Sequence, residues 1–195
     1  HHGLTCLSAR ENRAFSQLVK VCLVLAQNGR AWLSCKCIGG EHKREETMQK
    51  MQKQMMGHAL LVMIIALLSG FMLADGLLGG QAFYYYGTAE GWARAHTGGI
   101  TNGLLVLGVA LTMPHIGLSE RMTRYTGWGL IFTAWANTAF YWFGNAAGNR
   151  ALTAGDNLHG AANLLSMIGF WLAMIGVVLA LWLLGHAAVK LLRAD

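Results

Sequence analysis

The sequence predicts an all-α integral membrane protein, a bundle of four transmembrane helices with both termini cytoplasmic. Three observations carry that expectation. The 195 residues are 54% hydrophobic and only 12% charged, about half the charged share usual in a soluble domain. Four apolar stretches are each long enough to cross a bilayer, at about 1.5 Å of rise per residue against roughly 30 Å of hydrocarbon. The basic residues that flank those stretches fall mostly on one side. Within hydrocarbon, helices satisfy their own backbone groups whereas open sheet edges cannot, so a helical bundle follows. Gly is abundant at 25 and Pro nearly absent at 1, which suits closely packed membrane helices.

The first span is expected from Gly57 to Leu78, "GHALLVMIIALLSGFMLADGLL", with no charge before Asp75. The second runs from Ala95 to Met113 and stops at Pro114, which cannot donate to a helical ladder. The third runs from Tyr125 to Asn145 and the fourth from Asn163 to Val189. In an up-down-up-down arrangement Lys50, Lys53, Arg121, Arg124, Lys190 and Arg193 share one side, and only Arg94 and Arg150 face the other. The positive-inside rule then places the first group, and both termini, in the cytoplasm. Tyr84, Tyr85, Tyr86, Trp92, Trp128, Tyr141 and Trp142 fall where interfacial aromatics are expected. The net charge of +6 reads as membrane orientation. No basic stripe interleaved with aromatics marks a nucleic-acid partner.

Residues 1–47 differ from the remainder, 48–195. They hold all four cysteines, and their apolar stretch "LVKVCLVLAQNGRAWL" is interrupted by Lys20, Gln27, Asn28 and Arg30, too short to span. A weakly ordered, non-native extension before a natural start at Met48 or Met51 is the expectation, with an amphipathic surface segment as the alternative. Cys35-Lys36-Cys37 is too closely spaced, and too alone, for a zinc site.

Polar groups inside spans are costly and face protein or function. His96 and Asn102 lie in the second span, Asn137 and Tyr141 in the third, the latter two on one face by their spacing of four. His96 shares a face with Gly99 and Gly103, which together leave a side-chain-free trough. That trough suits a second helix by the small-xxx-small rule, or a planar macrocycle whose metal the imidazole reaches. Asn102 points about 120° from His96, so the two need not serve one pocket within a subunit. His58 and His186 read as interfacial and His115 as solvated, while His159 in "GDNLHGAAN" lies on the same side as His96. The spans hold no cysteine and no Ser-His-Asp set at one depth, which argues against a hydrolase.

The segments "EGWARAH" (90–96), "NG" (102–103), "WAN" with "FY" (135–141), "NR" (149–150) and the opening "MMGHALL" (55–61) resemble the styrene oxide isomerase family over about residues 55–190. That resemblance implies a four-helix membrane homotrimer with haem b held between adjacent subunits and His96 as its axial ligand. It implies Asn102, Asn137 and Tyr141 on the substrate side, an apolar aryl epoxide as substrate, and a styrene monooxygenase as an upstream partner. Departures are the Gly98-Gly99 pair after the motif, Gly144 just past Tyr141, and His159; they bear on substrate range. A ferric haem with one protein ligand keeps an axial place for Lewis-acid chemistry, by which styrene oxide opens and rearranges by a 1,2-hydride shift to phenylacetaldehyde. The rival expectations are a b-type electron carrier with His96 and His159 as paired ligands, and a cofactor-free membrane assembly protein.

Overall fold

The computed structural model describes residues 32–79, 87–148, 155–156 and 161–193, with side chains from residue 43 onward. It holds four helices: α1 Trp32–Leu77, α2 Ala89–Ile116, α3 Glu120–Ala147 and α4 Leu164–Leu192, with no strand among the described residues. Two compact units divide the chain between Glu46 and Thr47. Of the first, only the opening of α1 is described; the second contains everything below. His159, Arg150 and Tyr84 to Tyr86 lie outside the described residues.

Polar caps, rather than the onset of hydrophobicity, begin α2, α3 and α4, and α2 and α3 therefore start upstream of their apolar stretches. Thr88 caps α2: its Oγ1 accepts from Gly91 N at 3.0 Å, and Glu90 follows in the first turn, where the helix dipole favours an acid. Ser119 caps α3, its Oγ accepting from Met122 N at 3.4 Å. Asn163 opens α4 through a reciprocal capping box, with Ser166 N donating to Asn163 Oδ1 at 3.0 Å and Asn163 N donating to Ser166 Oγ at 3.0 Å. The expected stop at Pro114 is corrected: α2 continues to Ile116 and ends at Gly117, whose φ of 68° lies in the left-handed region. Pro114 sits in the last turn with a φ the helix tolerates, so it removes one ladder bond without ending the helix.

Contact pairs give the directions. Going forward along α2, its contacts step backward along α1, from Gly70 (His96) through Ala66 (Gly99) to Met63 (Gly103). The same reversal relates α2 to α3, where Gly91 meets Asn145, Gly98 meets Tyr141 and Asn102 meets Asn137. It also relates α3 to α4, where Gly129 meets Leu179 and Leu183 and Thr133 meets Gly176. Against this, α1 and α3 advance together, Met51 with Gly127 and His58 with Trp135. The bundle is therefore up-down-up-down.

The packing is that of a membrane protein. The core joins Met51, Met55, Val62, Val106, Leu130 and Ala180 from all four helices, and small residues line the contacts. Large apolar side chains point outward instead: Phe71, Val178, Leu181 and Trp182 are all more than half exposed. On α4 the buried stripe is Gly169, Gly176, Ala180, Leu183 and Ala187. Lipid is as apolar as leucine, so close approach and interhelical hydrogen bonds hold such helices together. Thr133 supplies one, donating between Gly129 O at 2.9 Å and Gly176 O at 3.0 Å.

Three helices are long and apolar enough to cross a membrane: α1 from Lys43 to Leu77, α2 and α4. α3 falls short on apolarity. It opens on Glu120, Arg121 and Arg124 and carries Thr, Asn, Trp and Tyr along its length. It is also the helix with the longest roll of buried residues, because it touches each of the other three. A helix that turns more of its surface to protein needs less lipid-facing hydrophobicity.

Candidate active site

The sequence-predicted residues gather at two faces of α2, His96 against α1 and Asn102 with Asn137 and Tyr141 of α3 on another. On the first face His96 lies against α1. Its Nδ1 is 2.8 Å from the carbonyl oxygen of Ala66. A carbonyl only accepts, so Nδ1 carries a proton, and in the neutral imidazole the lone pair is then on Nε2. The ring rests on bare backbone at Gly70, where a Cβ would stand 2.8 Å from Nδ1 and 3.0 Å from Cε1. Of the two occupants that the Gly99 and Gly103 trough allows, the structure places the helix. Ala66 Cβ would stand 2.6 Å from a Cβ at Gly99, and Met63 and Ala59 O close over Gly103. Both glycines thus serve the α1–α2 contact and do not form an open cradle within the subunit.

On the second face an open cleft of about 340 Å³ is lined by Arg94, Thr97, Gly98, Thr101, Asn102 and Tyr141. Counting polar atoms shows which of these side chains can act on a ligand. Thr97 Oγ1 donates to Ala93 O at 2.9 Å and Thr101 Oγ1 to Thr97 O at 2.8 Å, so both hydroxyl protons are spent on the helix itself. Asn102 Oδ1 accepts from Asn137 Nδ2 at 3.4 Å. Asn102 Nδ2 is buried and has no hydrogen-bond partner among the described residues. Among the described residues the donors without a hydrogen-bond partner are the Tyr141 hydroxyl, the Arg94 guanidinium, which stands 3.7 Å from Glu90 in a loose ion pair, and Asn102 Nδ2, which is buried beneath the cleft surface. The ring of Tyr141 lies on Gly98 and meets Phe140 edge-on at 5.3 Å. Asn137 is not among the lining residues. The structure places it behind Asn102, which it contacts.

A second contact between α2 and α3 frames this cleft. Asn145 Oδ1 accepts from Thr88 N at 2.8 Å, tying the end of α3 to the cap of α2. One turn inward Trp92 and Trp142 meet edge to face at 5.1 Å. Trp92 is only 4% exposed, so the expectation that it anchors in the membrane interface is corrected: it packs between helices. Trp128, at 53% exposed, does face outward. His58 likewise takes a protein partner, its Nδ1 accepting from Trp135 Nε1 at 3.2 Å.

The sequence profile of the styrene oxide isomerase family matches residues 51–192. The chain belongs to that family. A styrene-oxide isomerase from Pseudomonas fluorescens is 35% identical over 150 residues, covering 71% of this chain and 89% of that protein. Every element of the site described above, from Ala66 on α1 to Asn145 on α3, falls inside the stretch that the styrene oxide isomerase profile covers.

The family resemblance implies haem b, and the donor set can be tested against it. Among the described residues no three His, Cys, Asp or Glu side chains converge on a point. His96 offers an imidazole whose Nε2 is left available by the bond at Nδ1. One nitrogen cannot hold a bare ion, but it would suit an iron already held by a macrocycle. The hydrogen bond from Nδ1 to a backbone carbonyl is the outer support that orients such a ligand. The residues fit. Gly70 and the Ala66 carbonyl went unread in the sequence, because both act from another helix thirty residues away and neither carries a functional side chain.

Proposed function

We propose that this chain is an epoxide isomerase that converts an aryl epoxide such as styrene oxide to the aldehyde, phenylacetaldehyde, with haem b held through His96 Nε2. The observation that carries the reading is the 2.8 Å contact between His96 Nδ1 and Ala66 O, which leaves the other ring nitrogen available as a ligand. Family membership supports the reaction class. When bound through His96, a ferric haem would supply Lewis-acid chemistry to the epoxide oxygen.

The residues of the chain supply the rest. The Tyr141 hydroxyl and Asn102 Nδ2 donate to the epoxide oxygen as negative charge gathers on it, the kind of preset donor that lowers the barrier most. The benzylic carbon–oxygen bond breaks because the aryl ring stabilises the cation. A hydride moves with its electron pair from the terminal carbon to the benzylic carbon, and the carbonyl forms on the terminal carbon. No atom enters or leaves, so neither an acid-base pair nor an external reductant is required. Thr97 and Thr101 take no part, since their hydroxyls are turned back onto α2. The outward-facing apolar shell keeps water from trapping the cation as a diol and lets an apolar epoxide arrive from lipid.

His96 and the cleft lie on different faces of α2, which supports a homotrimer in which one subunit's imidazole serves a site completed by its neighbour. Four spans, with α3 the innermost, and cytoplasmic termini accord with Lys50, Lys53, Arg121, Arg124, Lys190 and Arg193 on one side of the bundle. The setting proposed is the bacterial inner membrane, downstream of an epoxide-forming monooxygenase. The test is to incubate membranes with styrene oxide and measure aldehyde for wild type and His96→Ala. The variant should lose both the haem Soret band and product. Turnover by haem-free protein overturns the reading, and a bis-imidazole spectrum in wild type would turn it towards an electron carrier.

A further inference from the structure

Gly98 and Gly99 are adjacent, yet a side chain at each would meet different things. At Gly99 the obstacle is Ala66 of α1, including its backbone Cα at 3.4 Å. At Gly98 it is the phenol ring of Tyr141, with Cζ at 2.5 Å and Cδ2 at 2.9 Å, and Cε2 closer still. The atoms an added Cβ would meet run along one ring edge, from Cδ2 to Cζ, the carbon that bears the hydroxyl. Gly98 also lines the cleft beside Asn102 and Tyr141. A glycine inside a helix costs about 1 kcal/mol relative to alanine, so Gly98 does nothing for α2 as a helix. What it provides is clearance.

We propose that Gly98 is the positioning residue for Tyr141: the bare backbone at 98 is the surface on which the phenol ring lies, and it sets where the hydroxyl reaches into the cleft. This rests on the role given to Tyr141 under the proposed function. A methyl group at 98 leaves the ring no room where it stands. Carbon–carbon contacts settle near 3.5–4.0 Å, so the ring must withdraw by about 1 Å or more. Tyr141 cannot simply swing aside. It sits within α3, where one of the three side-chain wells collides with the preceding turn, and Phe140 packs against its edge at 5.3 Å. Displacement of about 1 Å in a group aimed at a reacting atom is enough to cost on the order of 100-fold in rate. His96 is untouched, because it faces α1.

The experiment uses the full-length, haem-loaded protein in detergent or nanodiscs, with Gly98→Ala, Gly108→Ala, Tyr141→Phe, Tyr141→Leu and the Gly98→Ala/Tyr141→Leu pair. Gly108 is the control, being exposed on the same helix with nothing within 4 Å of an added Cβ. Gly98→Ala should keep its Soret band and lose about 100-fold in kcat with styrene oxide, while Gly108→Ala stays at the wild-type value. In protein carrying 13C-labelled tyrosine rings, the Tyr141 signal, assigned by its disappearance in Tyr141→Phe, should move in Gly98→Ala and not in Gly108→Ala. Retention of kcat within about threefold in Gly98→Ala overturns the proposal. Should wild type produce no aldehyde, the proposed function fails separately, and the tyrosine signal alone decides: movement supports the packing and an unmoved signal overturns it. Should Gly98→Ala fold poorly, its melting midpoint in the Tyr141→Leu background decides, since recovery with the smaller side chain supports the contact and no recovery overturns it.

Discussion

The two faces of α2 use the same residue types to opposite ends. On the α1 side, Gly99 and Gly103 are filled by Ala66, Met63 and Ala59, and His96 spends its Nδ1 proton on a backbone carbonyl. On the α3 side, Gly98 carries the Tyr141 ring, Asn102 keeps Nδ2 unspent, and a cleft stays open. The closed face fixes one imidazole in one tautomer. The open face fixes two donors and leaves space beside them. Adjacent glycines on a helix point about 100° apart, so a Gly-Gly pair can serve a helix contact and a binding surface at once. Small residues in a span therefore do not reveal their purpose until their neighbours are known.

The deepest break in this comparison is His96→Ala, which removes the imidazole proposed to hold haem. Aldehyde formation from styrene oxide should fall below detection together with the Soret band. Next comes Gly99→Val, which strikes the same face without touching the imidazole. The obstacle there includes backbone, so α1 itself must shift, and overpacking of this kind costs roughly 1–3 kcal/mol. The melting midpoint should fall by about 2–10 °C for a chain of this length, and haem content should fall with it as Ala66 O moves away from Nδ1. A Gly99→Val protein that melts at the wild-type midpoint with full haem would show that the α1 contact does not hold the imidazole.

Much of this arrangement is legible in the sequence, for reasons that also mark where legibility stops. The apolar runs show four helices because an 18-residue stretch without charge has few other uses. Helix starts at Ala89 and Glu120 lie upstream of the expected Ala95 and Tyr125, because Thr88 and Ser119 cap outside the apolar run. The spacing of four places Asn137 and Tyr141 on one face, and the angle between His96 and Asn102 separates their faces, both from helix geometry alone. Three things needed the fold. The acceptor for His96 is a backbone atom, the cushion for its ring is Gly70, and Trp92 reads as an interfacial anchor until Trp142 is seen against it. Each is a contact between helices, and no periodicity within one helix encodes its partner's register.

On the open face the larger effect belongs to Tyr141→Phe. The ring keeps its seat on Gly98 and only the donor is lost. Removing one such donor from a developing oxyanion typically lowers kcat by about 100–1000-fold, with haem content and melting midpoint near wild type. A loss of less than about fivefold would leave Asn102 as the principal donor.

Asn137→Leu is the subtlest test, and it asks whether Asn137 touches the substrate or acts through Asn102. Leucine keeps the approximate volume and deletes the donor to Asn102 Oδ1, the contact of 3.4 Å. The Asn102 amide is then free to rotate, and in the flipped state it offers an acceptor where an epoxide oxygen needs a donor. One neutral hydrogen bond is worth about 1 kcal/mol, so kcat/KM should fall roughly five- to tenfold. Inhibition by acetophenone, which can only accept, should weaken by the same factor, whereas 2-phenylethanol, which both donates and accepts, should change little. A loss as deep as that of Tyr141→Phe would place Asn137 against the reacting oxygen itself. A loss below about twofold would mean that the amide of Asn102 is oriented by its surroundings in α2 rather than by α3.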